Sequence, residues 1–286
     1  MAIPTDYIFT RGQVVKSGVF DLIVNSLIAA GWTNVSSLAT SDFVVLKSTG
    51  NTEDKSLILN IRDTNASNTN SIKTTNYNTM SYRLQTSYTP GAAGVAGTFG
   101  RPAMAWTAMD IVPTVAATGT LPMDTMLTYS IYADKSKFIL ALEYPYASGY
   151  GPLVIYMGLP DSLYCLEEGN SGTLAATTVN VTGNTVYICN TPAGLGNVTD
   201  KYSLTVYGTL SPKNPNNAGK YALSHLYYGS TTEGPRGKLD GIYVMPQGNV
   251  VTGDIITLGT KKYYVLVCHI QGANSFLSPV LAIRTE

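Results

Sequence analysis

The closing stretch Leu226–Glu286 reads LYYGSTTEGPRGKLDGIYVMPQGNVVTGDIITLGTKKYYVLVCHIQGANSFLSPVLAIRTE. Short runs that alternate apolar and polar residues are cut by turn signals at Gly234-Pro235, Pro246-Gln247-Gly248, Gly253-Asp254 and Gly259-Thr260. Ile255–Leu258 and Tyr263–Val267 flank Gly259-Thr260 as the arms of a hairpin, because Gly supplies the positive φ that a tight turn needs. After Pro279, the residues Val280, Leu281 and Ile283 predict a short terminal strand. A small meander of this kind is stable only when packed against something larger, so the rest of the chain must supply that layer.

Working back from there, Thr177–Val181 and Asn184–Ile188 flank Thr182-Gly183 as another hairpin, and Lys201–Tyr207 is a further strand before the polar turn Pro212–Asn217. Met126–Ala133 and Lys137–Tyr144 pair around Asp134-Lys135-Ser136. Leu127, Tyr129 and Ile131 share one face of that hairpin's first arm, and Phe138, Leu140 and Leu142 share one face of the second. The strand Pro152–Gly158 follows.

Near the N-terminus, Thr10-Arg11-Gly12-Gln13 has the T-x-x-Q pattern of a capping box. After it, Val15, Val19, Leu22, Ile23 and Ala30 recur at helical spacing, Leu27 widens the stripe, and Gly31 suits a left-handed helix end. The spacing predicts one amphipathic helix over 14–30, with Trp32 at a helix–sheet junction. Phe43–Ser48 and Ser56–Ile61 read as a hairpin, and Met80, Tyr82 and Leu84 alternate with Ser81, Arg83 and Gln85 as a half-buried strand. The fold class is therefore α+β, predominantly antiparallel β with one N-terminal amphipathic helix and a β-rich C-terminal half. The expected organisation is an α+β domain over 1–160 and a β-rich domain over 161–286. The alternative is one domain whose C-terminal strands complete the first sheet.

Composition narrows the function classes. Only 13% of residues are charged, and Lys plus Arg balance Asp plus Glu at 18 each. A nucleic-acid partner is not expected, since it needs a basic stripe to displace counterions. With 27 Gly and 20 Tyr, solubility rests on neutral polar groups, the profile of a β-rich protein that works outside cells or within a large assembly. Yet MAIPTDYIFTRGQ carries no secretory pattern, and no apolar run reaches the roughly 20 residues of a membrane span. A protein made in the host cytoplasm and built into a particle satisfies both observations.

Several segments carry a resemblance. GPRGKLDGIYVMP (Gly234–Pro246), GDIITLGTKKYYV (Gly253–Val265) and LAIRTE (Leu281–Glu286) resemble virion proteins of tailed bacteriophages, of the kind built into tails, baseplates and necks. The run FDLIVNSLIAAGWTNVSS (Phe20–Ser37), followed by FVVLKS and SLILNI, resembles the same group at the other end of the chain. YADKSKFILALE (Tyr132–Glu143) and PLVIYMG (Pro152–Gly158) do so in the middle. The resemblance implies a non-enzymatic structural component located in the virion, a homo-oligomer in a symmetric assembly with other virion proteins as partners. A host-surface adhesin that binds glycan is the alternative, and a cell-wall or polysaccharide hydrolase ranks last.

Candidates for chemistry are few. Cys165, Cys189 and Cys268 lack C-x-x-C spacing and are odd in number, so neither a metal cluster nor a disulfide framework is expected. DTNASNTN (Asp63–Asn70) lacks the Gly and terminal Glu of a calcium loop, and Gly194-Leu195-Gly196 is half of a dinucleotide fingerprint. No cofactor, metal or catalytic residue is expected. His225 and His269 are the only histidines; Cys268 and His269, as neighbours on a strand, point to opposite faces. Glu143, Asp161, Glu167 and Glu168 are the carboxylates a glycosidase would have to draw on. The recognition candidates are Tyr144, Tyr146, Tyr150, Tyr227 and Tyr228, because Tyr buries large area while keeping a polar handle. Trp106 and Met109 join them inside the long Gly/Ala/Thr/Pro-rich excursion Pro90–Pro122, which reads equally as an arm for a neighbouring subunit or as a plain packed loop.

Overall fold

The computed structural model describes residues 7–37, 43–65, 67, 70–85, 87–99, 106–112, 120–144, 152–162, 174–179, 185–189, 200–205, 220, 223–230, 234–245, 250–267 and 280–286. In chain order the strands begin with β1 (Tyr7–Val15), β2 (Thr33–Asn34), β3 (Phe43–Ser48), β4 (Leu57–Arg62) and β5 (Thr79–Gln85). A single α-helix among the described residues, α1 (Val19–Ala29), follows β1 after a 3-10 turn over Lys16–Gly18. Then come β6 (Tyr88–Thr89), β7 (Thr98–Phe99), β8 (Thr107–Asp110), β9 (Met126–Asp134), β10 (Lys137–Glu143), β11 (Leu153–Gly158) and β12 (Asp161–Ser162). The remainder are β13 (Leu174–Val179), β14 (Thr185–Cys189), β15 (Asp200–Thr205), β16 (Ser224–Ser230), β17 (Gly234–Met245), β18 (Ile255–Leu258), β19 (Lys261–Val267) and β20 (Val280–Arg284). The fold is mostly antiparallel β with one short helix.

Strands β3, β4, β5 and β8, with β2 at the edge, make a five-stranded sheet. A 13-stranded sheet runs β1-β9-β10-β11-β13-β14-β15-β16-β17-β20-β19-β18, with β12 paired to β17. It curls back on itself: Phe9 of β1 lies 6.3 Å from Tyr264 of β19, and the Arg11 guanidinium sits 4.1 Å over the same ring. The result is a sandwich-like stack in which β9, β10 and β11 form the middle layer.

That placement explains the sequence of β10 and β11. Phe138, Leu140 and Leu142 face one core, which α1 and the five-stranded sheet complete through Phe20, Ile23, Leu46, Leu59 and Met80. Ile139, Ala141, Val154 and Tyr156 face a second core shared with Leu226, Leu239, Leu266 and Ile283. Strands covered on both faces read as continuous apolar runs, here FILAL and LVIYM. Hydrogen bonding crosses the expected boundary between 160 and 161, because Val154 of β11 pairs with Val179 of β13.

The helix starts later than its spacing predicts. Residues 7–15 form β1, with Thr10 opposite Ile131 and Gln13 opposite Thr128. The T-x-x-Q capping box is thus corrected to a strand, since a full ladder to β9 satisfies more backbone groups than one cap. Gly18, at the actual N-cap, makes no side-chain cap bond. Burial of Phe20, Ile23 and Leu27 stabilises the short helix, at about 1.5–3 kcal/mol for each side chain. Gly31 ends it at φ +96°, as expected. Trp32 does mark the junction, its Nε1–H donating to the Asp134 carbonyl at 2.8 Å.

Between β1 and α1, Lys16 is fully buried and its Nζ donates to the Leu121 carbonyl and, at 3.4 Å, to Asn78 Oδ1. Burial lowers its ammonium to about 8. From there to about 10 the unfolded chain still holds the proton that the folded chain has released, so this group makes stability rise with pH. Urea unfolding at pH 7, 8, 9 and 10 is expected to show that rise in the wild type relative to Lys16→Met. Parallel pH profiles for the two proteins would contradict it.

Candidate functional site

The recognition candidates fall in different places. Tyr144 is half-buried and packs against the first core, while Tyr146 and Tyr150 lie outside the described residues. Tyr227 and Tyr228 are neighbours on β16, so their side chains take opposite faces. Tyr228 is 1% exposed in the second core, its ring covering Gly237, where an added Cβ would overlap the phenol. Met109, likewise 1% exposed, faces the first core. As surface contacts Met109 and Tyr228 are therefore corrected to core residues: strand alternation turns both inward.

Trp106 precedes β8 on the opposite face of the five-stranded sheet. The Arg62 guanidinium stacks 4.0 Å from its ring centre and Arg83 lies 4.7 Å away. Phe43 meets it edge-on, and Arg83 also sits 4.2 Å over Phe99. Guanidinium–ring stacks of this kind contribute about 0.5–2 kcal/mol each. The two strands described within the long excursion pair inside this chain: β7 with β6, which precedes it, and β8 with β5.

Tyr227 belongs to a half-buried aromatic strip. His225 lies 4.6 Å from Tyr243 and 5.9 Å from Tyr227, and Tyr243 meets Tyr263 edge-to-face at 5.1 Å. Beside the strip, Lys238 and Asp161 pair at 3.0 Å across β17 and β12. Burial, reinforced by the Lys238 charge, lowers the His225 imidazole below its usual value. The strip offers rings and polar handles for contact.

The densest charge cluster joins the layers. Asp134 is fully buried, and its Oδ1 accepts from the Ser136 and Lys137 backbone N–H groups at 2.7 and 3.0 Å. Its Oδ2 accepts from the Tyr132 hydroxyl at 2.8 Å and from Lys137 Nζ at 3.3 Å. Lys137 Nζ also reaches Asp240 at 2.8 Å, and Arg284 approaches that carboxylate at 3.9 Å. Asp240 gets there because β17 is irregular against β16 between Lys238 and Tyr243, where Gly241 takes φ +91°. Burial alone would raise both carboxyls, but the Lys137 ammonium together with the hydrogen bonds from Ser136 and Tyr132 outweighs it at Asp134, and Lys137 with Arg284 does so at Asp240, holding Asp134 below the usual range and Asp240 at about 2. Burial would lower Lys137, and the two carboxylates more than restore it. Every charge in this cluster is matched, which suits holding layers together rather than moving protons.

The remaining chemistry candidates do not converge. Burial raises Glu143, with Arg11 opposing, but it lies opposite Thr128, whereas Asp161 is engaged with Lys238. Cys165, Glu167, Glu168, Cys268 and His269 lie outside the described residues; Cys189 is on β14. Among the described residues, no group of three His, Cys, Asp or Glu is placed to hold a metal ion. No helix among them is long and apolar enough to cross a membrane.

One edge of the large sheet is notable. Among the described strands β18 ends the strand order, pairing there with β19 alone, and it presents Ile255 at 53% and Leu258 at 44% exposure beside Val251 at 65%. No family model matches the chain, and no curated protein matches it either.

Proposed function

We propose that the chain is a non-enzymatic structural component of a tailed-phage virion, assembling with copies of itself and with other tail, baseplate or neck proteins. The observation that carries this reading is the β18 edge. A strand end of a sheet offers unpaired N–H and C=O groups, and monomeric proteins usually blunt such an edge with charge or proline. Ile255–Leu258 has neither, and two of its three exposed side chains, Ile255 and Leu258, are apolar, with Thr257 between them. A second copy adding its own β18 antiparallel would satisfy both demands through one isologous contact. The matched charges of the Asp134–Lys137–Asp240–Arg284 cluster support the same reading, because a rigid multilayer body suits an assembly unit.

Sedimentation of the wild type and of Ile255→Lys tests it. The wild type is expected to associate with rising concentration and the variant to stay monomeric, with unchanged circular dichroism. Equal association of both proteins would remove the edge from the account, and release of reducing ends from cell-wall polymer would replace it with a hydrolase.

A further inference from the structure

We infer that two copies of the chain join through β18 in one register, with Thr257 on the two-fold axis, and that this closed dimer is the unit from which larger assemblies grow. The inference rests on the edge reading above and adds to it the geometry of the contact.

Backbone direction comes first. β18 pairs Ile256 with Tyr263 and Leu258 with Lys261 of β19, and one step back along the same ladder the Val265 N–H donates to the Asp254 carbonyl at 2.9 Å. In an antiparallel ladder the bonded pairs recur at every second residue, so Asp254, Ile256 and Leu258 direct their N–H and C=O groups to β19. Ile255 and Thr257 therefore direct theirs away from β19, and both residues are exposed.

Side-chain alternation then selects the register. Two identical antiparallel strands in one sheet are related by an axis normal to it, so facing residues share a face and their numbers differ by an even count. Centring on Thr257 sets it against the partner's Thr257, Ile256 against the partner's Leu258, and Ile255 over the bare backbone of the partner's Gly259. Leu258 and Ile255, 44% and 53% exposed, are then covered, and the outward groups of Thr257 are bonded. Centring on Ile256 would press Leu258 onto the partner's Asp254, a carboxylate already accepting from the Val251 N–H at 2.9 Å within its own copy. Centring on Leu258 would carry Ile255 past the partner's turn to the partner's Lys261.

Charge agrees with self-pairing. Ile255–Leu258 carries none, so the axis brings no like charges together there. The flanking Lys262, opposite Thr257 on β19, is matched by Glu286 at 3.0 Å in its own copy. Each copy uses its β18 once, so the contact closes as a dimer and further growth takes other surfaces.

The full-length variants Ile255→Cys, Ile256→Cys, Thr257→Cys and Leu258→Cys, oxidised in air and run on non-reducing gels, test the register. The wild type, with Cys165, Cys189 and Cys268, sets the background. Thr257→Cys is expected to give a linked dimer, because Cα atoms of a bonded antiparallel pair lie about 5.5 Å apart, within the span of a disulfide. Ile255→Cys is expected to stay at background, since its two copies are offset by roughly 13 Å along the strands. Linkage through Ile256→Cys or Leu258→Cys in place of Thr257→Cys would overturn the register and leave the edge reading standing. Background linkage in all four variants, while sedimentation still shows association that Ile255→Lys abolishes, would overturn the antiparallel contact alone. The same gels with no association of the wild type would overturn both.

Discussion

Replacing Lys137 by Met is expected to cost about 3–5 kcal/mol of folding stability, because it leaves the Asp134 carboxylate buried without its cation. The two side chains are 3% and 0% exposed, so water cannot compensate for the missing ammonium. For a chain of this size that corresponds to a Tm lowered by roughly 10 °C, a large part of ordinary stability. The double variant Asp134→Asn/Lys137→Met is expected to recover much of the loss, since breaking a buried pair costs more than replacing it. Urea unfolding of the three proteins checks both statements; a single variant within about 0.5 kcal/mol of the wild type would contradict the locking role. The same cluster gives acid sensitivity. Asp134 and Asp240 are held below the unfolded carboxyl value, so their contribution is complete above about 4 and is lost as pH falls below it, for Asp240 toward about 2.

The second large effect is at Gly158. It pairs with Lys137 at φ +146°, and a Cβ there would overlap Lys137 Cα and Cβ and the Ser136 carbonyl oxygen. Those are backbone or near-backbone atoms of the turn that carries Asp134, so nothing flexible can give way. Gly158→Ala is expected to prevent folding or to cost more than about 4 kcal/mol. Gly94→Ala is the control: φ is +81° but nothing lies within 4 Å of the new atom, so only the left-handed strain of about 1–2 kcal/mol applies. Soluble yield and Tm distinguish them, and equal behaviour of the two variants would contradict the close packing of β10 on β11.

Much of the fold is legible in the residues. The hairpins Phe43–Ser48 with Leu57–Arg62, Met126–Asp134 with Lys137–Glu143, and Ile255–Leu258 with Lys261–Val267 follow from alternation and turn residues, which act over a few positions. Thr10–Gln13 misleads because a T-x-x-Q run also fits a strand, and only the distant partner β9 decides between them. The charge cluster is hidden for the same reason. Asp134 and Lys137 stand together in one turn, but Asp240 and Arg284 reach them only through the irregularity at Gly241 and the return of β20. Tyr227 and Tyr228 held a usable signal, since adjacent strand residues cannot share a face.

The measurement that bears most directly on the proposed assembly role is the mass of the purified wild-type chain by light scattering behind a sizing column, with negative-stain imaging of the main peak. The account predicts a defined oligomer of visible symmetry, built on the β18 edge. A monomer at every concentration, with no incorporation into particles by virion proteins added as a template, would contradict it.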